Sequence, residues 1–136
     1  MHPSLRLMLV PWLCVATGCA PEPEPLPAIG QGDGRVEWRG MLPCADCRGI
    51  RVQLVLERRG DARHYQLVET YLAGRAGARF VERGRWRHGH GLLRLQGEDG
   101  SLRVYALAPD GRLQSRDSRG RRLPVQDDAM LSPRVP

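Results

Sequence analysis

The chain has 136 residues, enough for one small domain. Its 21 basic residues are all arginine, and with 15 acidic residues the formal net charge is +6. A basic chain can bind nucleic acid, but the arginines are spread along the whole sequence, aromatic residues make up only 5%, and no nucleic-acid-binding motif occurs. We therefore exclude nucleic acid as a partner. The absence of Ser-His-Asp, P-loop and zincin motifs disfavours an enzyme.

The amino terminus predicts a secretory signal and a lipid anchor. One charge at Arg6 precedes an apolar run over residues 7–16. This run is too short to cross a bilayer, because a spanning helix needs about 20 apolar residues. The residues Ala16-Thr17-Gly18-Cys19 resemble a bacterial lipobox. We expect residues 1–18 to be removed as a signal peptide and Cys19 to become the lipidated first residue.

Residues 19–34 have the composition of a tether between the lipid and the folded domain. Proline occupies every second position from Pro21 to Pro27, which favours an extended chain of about 3.1 Å per residue and a reach on the order of 30 Å. Two or more acyl chains make such anchoring effectively stable. Ala20 follows Cys19 where an aspartate would favour the inner membrane. We therefore expect an outer-membrane lipoprotein whose domain faces the periplasm.

From Val36 onward, apolar residues recur with a period of two, which is typical of strands. Turn residues separate eight short predicted strands, over residues 36–39, 50–57, 64–72, 80–86, 92–96, 102–107, 112–115 and 121–125. This series predicts an all-β fold, and closure into a barrel removes open sheet edges. We predict a small antiparallel meander β-barrel over residues 35–125, followed by a frayed tail over residues 126–136.

Two glutamates fall on the faces predicted to point into the barrel. Glu82 shares the face of Phe80 and Trp86, and Glu69 shares the face of Tyr65. Burying an unpaired carboxylate is costly, so both glutamates require an arginine, tyrosine or water partner, or a position at the barrel mouth. Two interpretations stay open. They are either satisfied polar groups near the rim or residues that recognise a ligand inside a cavity.

A loop between the first two predicted strands carries Cys44 and Cys47, three positions apart. After secretion, two close thiols normally form a disulfide, and here it would be structural or redox-labile. Thiolates also bind Cu(I) or Zn, with Met41 as a soft neighbour. The pair alone does not complete a metal site, but His88 and His90 could add imidazoles because alternate residues of a strand share a face. A thiol–disulfide oxidoreductase is disfavoured, since its CxxC motif usually begins a helix.

Three spaced blocks together resemble the amino-terminal domain of the NlpE-type copper-resistance lipoproteins. They are Gly40-x-Leu42-Pro43-Cys44-Ala45-Asp46-Cys47-x-Gly49-Ile50, Tyr65-x-Leu67-x-Glu69-Thr70-Tyr71 and Phe80-x-Glu82-x-Gly84-x-Trp86. The resemblance covers roughly residues 38–123. It implies a small antiparallel barrel similar to lipocalins and a non-enzymatic role in copper resistance or envelope-stress sensing.

The resemblance also carries expectations about partners. It implies copper as the metal to test, without establishing direct binding, and an envelope-stress signalling protein as the partner. Full-length members continue into a second, smaller β-domain with its own cysteines, to which no part of these 136 residues corresponds. The alternative function is that of a lipocalin-like carrier, which would hold a small apolar ligand inside the barrel in the periplasm.

Overall fold

A computed structural model describes Ile29 and residues 32–74, 77–124 and 129–134. The predicted signal peptide, the lipidation site Cys19 and most of the predicted tether lie outside these residues. Within the described ranges, no helix has the length and apolar character needed to cross a membrane.

The described residues form eight β-strands, which we number in chain order. They are β1 (Gly34–Leu42), β2 (Ile50–Arg59), β3 (Ala62–Tyr71), β4 (Arg79–Gly89), β5 (Leu92–Gly97), β6 (Leu102–Leu107), β7 (Leu113–Arg116) and β8 (Met130–Arg134). Each strand pairs antiparallel with the next, and β8 returns to pair with β1, so the sheet closes into a barrel. The prediction of an antiparallel meander barrel is confirmed.

The up-and-down topology gives the barrel two distinct ends. At one end lie the β1–β2 loop with both cysteines, the β3–β4 loop, the β5–β6 turn and the β7–β8 connection. We call this the cysteine end. At the other end, β1 begins at Gly34, and the tight turns β2–β3, β4–β5 and β6–β7 surround it. We call this the entry end, because the chain enters the barrel there.

Large apolar side chains fill the middle of the barrel. The largest that are fully buried are Trp38, Leu54, Leu67, Leu93, Leu95, Leu113, Leu131 and Val52. Trp38 lies in this core and donates its indole N–H to the Gly111 carbonyl oxygen at 2.9 Å, which satisfies its polar atom and ties β1 to the β6–β7 turn. A packed interior argues against the ligand that the carrier alternative placed inside the barrel.

The predicted facing of β4 holds along most of its length. Trp86 is 3% exposed and points inward, whereas its neighbours Arg85 and Arg87 are exposed. Gly84 lies where β4 crosses β5 closely: a Cβ there would lie 2.0 Å from the Gln96 carbonyl oxygen, so no larger residue fits. Phe80 departs from the expectation and is 58% exposed, because β4 pairs with β5 only from Gly84 onward.

Two predictions about the C-terminal residues are wrong. The strand expected over residues 121–125 is replaced, in the described part of that range, by an isolated bridge between Arg116 and Arg122. Residues 130–134, expected to fray, form β8 and close the barrel, with Leu131 1% exposed in the core. The strand pattern of residues 130–134 was obscured by Pro133, because proline lacks an N–H and occurs within sheets mainly at edges or strand starts.

Candidate functional site

The cysteine loop, residues 43–49, projects from the cysteine end and is fastened at its base. The backbone N–H of Arg48 donates to the Leu72 carbonyl at 3.1 Å, and Leu72 N–H donates to the Gly49 carbonyl at 2.9 Å. This exchange joins the loop to the residue that follows β3. Gly49 has a φ of 149°, a conformation that residues with a side chain rarely adopt. The loop geometry therefore requires glycine immediately after the cysteine motif.

Cys44 and Cys47 are joined by a disulfide, with their Cα atoms 5.3 Å apart. Both residues are partly buried, whereas Ala45 and Asp46 between them are exposed. Cys47 Sγ lies 3.3 Å from the Gly49 carbonyl oxygen. The pair is thus held against the loop base while its intervening residues face solvent. This arrangement leaves the sulfur atoms close to the surface of the barrel.

One further soft ligand lies beside the cysteine loop. Met41, at the end of β1, is 49% exposed, and its Sδ packs so closely on Gly49 that a Cβ there would lie 2.8 Å away. If the disulfide is reduced, two thiolates and a thioether become available in one region. Cu(I) favours such soft sulfur donors, whereas the oxidised pair lacks the thiolates that metal binding requires.

The imidazoles proposed to assist the thiols lie elsewhere, so that part of the metal prediction is wrong. His88 and His90 belong to the end of β4 and the β4–β5 turn at the entry end, opposite the cysteines. His90 is exposed and has a φ of 52° in the turn, and His88 is half-buried. In the residues that the structure describes, no three His, Cys, Asp or Glu side chains form a group able to hold a metal ion.

Both predicted inward-facing glutamates lie near the cysteine end and share one arginine. Arg103 donates from Nε to Glu82 at 2.9 Å, and from Nη1 and Nη2 to the two oxygens of Glu69 at 2.9 and 3.2 Å. Tyr65 donates its hydroxyl to the other Glu82 oxygen at 2.6 Å. We call these four residues the Arg103 cluster. It supplies the arginine and tyrosine partners that the sequence required.

Burial sets the electrostatics of this cluster. The side chains of Glu69 and Glu82 are 12% and 14% exposed, and Arg103 is 35% exposed. Burial opposes the charge on Arg103, but the two carboxylates outweigh it and raise the pKa of Arg103. Burial, followed by the hydrogen bond to Glu82, raises the pKa of Tyr65 well above its ordinary value. The cluster is therefore a charge-paired unit with one net negative charge.

A cavity of about 450 Å³ opens above the cluster, between the first half of β4 and the β5–β6 turn. Glu98 and Asp99 add carboxylates to its wall, and Phe80 covers one side by packing edge-on against Tyr71 at 5.4 Å between ring centroids. Sequence reasoning identified Glu69 and Glu82 but missed their partner. The sequence did contain the information needed to find Arg103. It lies two residues before Tyr105 in β6, and residues two apart in a strand share a face.

An apolar cavity of about 380 Å³ lies at the entry end. Its walls include Ile29, Val36, Trp38, Leu107, Pro109 and Pro133, together with His88. The His88 Nε2 atom is buried and has no hydrogen-bond partner in the structure. This volume lies within the range typical of small-molecule sites. The cavity is well separated from the cysteine loop, which lies at the opposite end of the barrel.

The domain is a small antiparallel β-barrel. Its eight strands close around a packed interior, and one loop carries a CxxC motif whose cysteines form a disulfide. The chain belongs to the NlpE family, since the model of the NlpE N-terminal domain matches residues 38–125. This match spans all three sequence blocks and most of the barrel. The recognition made from those blocks is confirmed.

Two relatives make the comparison concrete. The chain is 36% identical over 74 residues to Lipoprotein NlpE of Escherichia coli (strain K12), which covers 54% of this chain and 30% of that protein. It is also similar to the crystal structure of the Cpx pathway activator NlpE from Escherichia coli, with a TM-score of 0.54, 32% identity, and coverage of 67% of this chain and 46% of that chain. The matched region is less than half the length of either relative.

Proposed function

We propose that the chain is an envelope lipoprotein that responds to copper or to redox stress through Cys44 and Cys47, without catalytic turnover. The observation that carries this proposal is the cysteine pair on a surface loop that is fastened to the barrel by two backbone hydrogen bonds. Membership of the NlpE family supports it, since one relative is described as an activator of the Cpx pathway.

The proposed response depends on the oxidation state of the pair. In the oxidised form, the sulfurs are bonded to each other and are poor metal ligands. Reduction adds two electrons and two protons from a dithiol donor and yields two thiols. The Cys47 thiol can then donate to the Gly49 carbonyl 3.3 Å away, and deprotonation supplies thiolates for Cu(I) beside Met41. Copper therefore binds as Cu(I) only after reduction, or acts indirectly as Cu(II), two ions of which each take one electron from the reduced pair and re-form the disulfide with release of two protons.

The redox state of the cysteine pair can affect the rest of the domain through the hydrogen bonds at the base of the cysteine loop. The Gly49 carbonyl accepts a hydrogen bond from Leu72, the residue after β3. In the reduced state the Cys47 thiol would share the Gly49 carbonyl oxygen with the Leu72 N–H, so the redox state of the pair would alter the junction between the cysteine loop and the end of β3. An envelope-stress signalling protein that contacts the cysteine end would distinguish the two states. We place this partner at the cysteine end because the loop and the Arg103 cluster both lie there.

A copper titration tests the role of the thiols. Thiol-trapping mass spectrometry on protein extracted from the envelope should find Cys44 and Cys47 oxidised, and the oxidised form should take up no Cu(I) against a competing chelator. The reduced form should bind one Cu(I), and Cys44→Ser should abolish this uptake. Met41→Leu should weaken it.

Two results would refute parts of this proposal. Free thiols in the resting protein would refute the disulfide as the resting state and favour a constitutive copper site. If neither redox form binds Cu(I) and Cys44→Ser changes only stability, the disulfide is a structural staple. The function would then have to be sought around Glu69 and Glu82.

The cellular location forms a separate part of the proposal. Cys19 carries the lipid, the residues between Cys19 and Asp33 form the tether, and the barrel faces the periplasm from the outer membrane. The lipobox-like residues that end in Cys19 support this placement. Cys19→Ala should abolish lipid labelling and move the protein into the soluble periplasmic fraction. Retention in outer membranes at high salt would contradict the anchor.

The apolar cavity at the entry end favours a second candidate function, the carriage of a small apolar molecule. Its walls are largely apolar, and its volume of about 380 Å³ suits a ligand of modest size. Native mass spectrometry of envelope-extracted protein should then detect a copurifying apolar molecule. Leu107→Trp should exclude it by filling the cavity, whereas Leu102→Trp, an exposed position on the same strand, should not. A protein that carries nothing would contradict this function.

A further inference from the structure

Four arginines gather in a cleft on the outer surface near the entry end. The cleft has a volume of about 580 Å³, and its charged lining consists of Asp61, Arg63, Arg85, Arg87 and Arg94, with His64 beside them. We call it the arginine cleft. Three neighbouring strands, β3, β4 and β5, contribute its arginines, and Leu102 of β6 completes the wall, so residues far apart in sequence meet in one concavity. Asp61 is the carboxylate among its lining residues.

The pairing of β3 with β4 explains why a cleft forms here. The two strands are in register from Thr70–Arg79 to His64–Arg85, and the pairing stops there. Both strands continue, since β3 begins at Ala62 and β4 ends at Gly89. They therefore diverge toward the entry end. The guanidinium of Arg63 lies over the Trp86 ring in this gap, 5.5 Å from its centroid.

The register places like charges directly opposite each other. Arg87 on β4 pairs with Arg94 on β5, and like charges at directly opposite positions of an antiparallel pair are destabilising. No carboxylate of a described residue lies within ion-pair distance of any arginine in the cleft, whereas Arg35, Arg39, Arg103, Arg112 and Arg121 all have one. In addition, the buried Arg63 Nε has no hydrogen-bond partner. The cleft thus concentrates positive charge, because four arginines meet one carboxylate, Asp61, which forms no ion pair with them.

The chain enters the barrel beside this cleft. The backbone N–H of Gly60, in the β2–β3 turn, donates to Asp33 Oδ1 at 2.7 Å. That turn continues into Asp61 and Ala62, which line the cleft. Asp33 immediately precedes β1, so the residues before the barrel start next to the arginines. A lipid on the preceding segment would hold this side of the barrel closest to the membrane.

We propose that the arginine cleft binds the phosphate groups of anionic lipids and docks the barrel on the membrane surface by its entry end. Guanidinium groups match phosphate oxygens in a bidentate geometry, and closely spaced arginines suit a surface of phosphates. The Trp86 ring is covered by Arg63, so the cleft offers no exposed aromatic platform for nucleic-acid bases. Docking in this orientation directs the cysteine end away from the membrane, toward a soluble reductant, copper or a partner.

Vesicle binding by a protein without the lipid tests the proposal. A chain of residues 20–136 keeps every residue that the structure describes and lacks Cys19, so failure of the lipid anchor and failure of the cleft are distinguishable. It should cosediment with phosphatidylcholine vesicles that contain 30% phosphatidylglycerol, at 50 mM salt. It should bind much less to pure phosphatidylcholine. The binding should fall steeply at 300 mM salt, because salt screens surface charges.

Matched triple variants locate the site. Arg85→Gln/Arg87→Gln/Arg94→Gln should weaken vesicle binding about a hundredfold, from roughly fivefold per arginine near an anionic surface. The control Arg48→Gln/Arg51→Gln/Arg79→Gln removes the same charge from exposed positions at the cysteine end. It should weaken binding only a few-fold. Melting temperatures of both triples should show that they are folded.

Four outcomes would overturn the proposal. Equal losses in the two triple variants would mean general charge attraction. Equal binding to neutral vesicles would mean apolar attachment. Displacement by 10 mM inorganic phosphate at constant ionic strength would mean a site for free phosphate. Tighter binding to duplex DNA than to vesicles, lost in the cleft variant, would mean a nucleic-acid surface.

Discussion

The Arg103 cluster at the cysteine end and the arginine cleft near the entry end place arginine in opposite electrostatic environments. At the cysteine end, Arg103 is half enclosed and makes three hydrogen bonds to the carboxylates of Glu69 and Glu82. At the entry end, four arginines line one cleft, and Arg87 faces Arg94 across a strand pair with no described carboxylate in ion-pair reach. A paired arginine stabilises the fold and leaves little charge for a ligand. An unpaired cluster costs stability and retains its charge for an external anion.

The largest expected effect on stability comes from a comparison of two aromatic residues at the two ends of β4. β4 carries Trp86 on its inner face toward the entry end and Phe80 on the same face at the cysteine end. Trp86→Ala should cost about 3–5 kcal/mol in the free energy of unfolding, because a 3% exposed ring would leave a cavity. Phe80→Ala, at 58% exposed, should cost under about 1 kcal/mol. Urea denaturation measures both, and equal losses would contradict the difference in packing.

The next prediction concerns a substitution that breaks the Arg103 cluster. Arg103→Gln should cost about 2–3 kcal/mol, at or below the low end for a broken buried ion pair, because the arginine is 35% exposed. The matched control is Arg112→Gln, which breaks the exposed pair with Asp110 and should cost at most about 1 kcal/mol. Similar losses in the two variants would mean that the cluster contributes no more than a surface pair.

The tyrosines give the cysteine end a pH dependence at high pH. Burial raises the pKa of Tyr105 to about 12, and burial with Glu82 raises the pKa of Tyr65 further above its ordinary value. Unfolded tyrosines titrate near pH 10. Between pH 7 and 9 both tyrosines keep their protons in the folded and the unfolded chain, so the free energy of unfolding should be constant there. Above pH 10 the unfolded chain holds fewer protons than the folded chain. The free energy of unfolding should then fall by up to about 1.4 kcal/mol per pH unit per tyrosine.

Urea midpoints between pH 7 and 11 measure this decline, and Tyr105→Phe should remove part of the slope. Alkaline solution also attacks disulfides, so the series should be repeated with Cys44→Ser/Cys47→Ser as the background. A midpoint that stays constant up to pH 11 would contradict the stabilisation of the neutral tyrosines. A decline that disappears in the cysteine-free background would assign the effect to the disulfide.

The sequence predicted local features better than features that depend on closure. The period of two was sufficient for the barrel, for the inward position of Trp86 and for the need of Glu69 and Glu82 for partners. It was insufficient for β8, because Pro133 interrupts the strand pattern, and for His88 and His90, because only the topology shows that they lie opposite the cysteines. The separation of the two sites arises from strand direction, which residue spacing alone does not give.

The arginine cleft was missed for a related reason. The spread of arginines along the chain served only as a ground for excluding nucleic acid, and it did not indicate which arginines meet in the fold. Strand pairing does, because β3, β4 and β5 bring Arg63, Arg87 and Arg94 to one concavity although they are up to 31 positions apart. An even distribution along a meander is compatible with a dense cluster on one face. Cross-strand register, rather than linear spacing, decides where charge accumulates.

The smallest expected effect is a gain in stability rather than a loss. It tests most directly whether the arginines of the arginine cleft repel one another. Arg87→Gln should raise the free energy of unfolding by about 0.2–1 kcal/mol, because it removes the like-charge pair with Arg94. The gain should be largest at low salt and shrink at high salt, where screening already weakens the repulsion. The control Arg51→Gln changes an exposed arginine whose cross-strand neighbours are Met41 and Thr70, so it should leave stability nearly unchanged. Urea denaturation at 20 mM and 500 mM salt measures both variants. A loss of stability in Arg87→Gln at low salt would show that Arg87 is stabilised by a contact within the fold. The contrast between the paired Arg103 cluster and the unpaired arginine cleft would then fail.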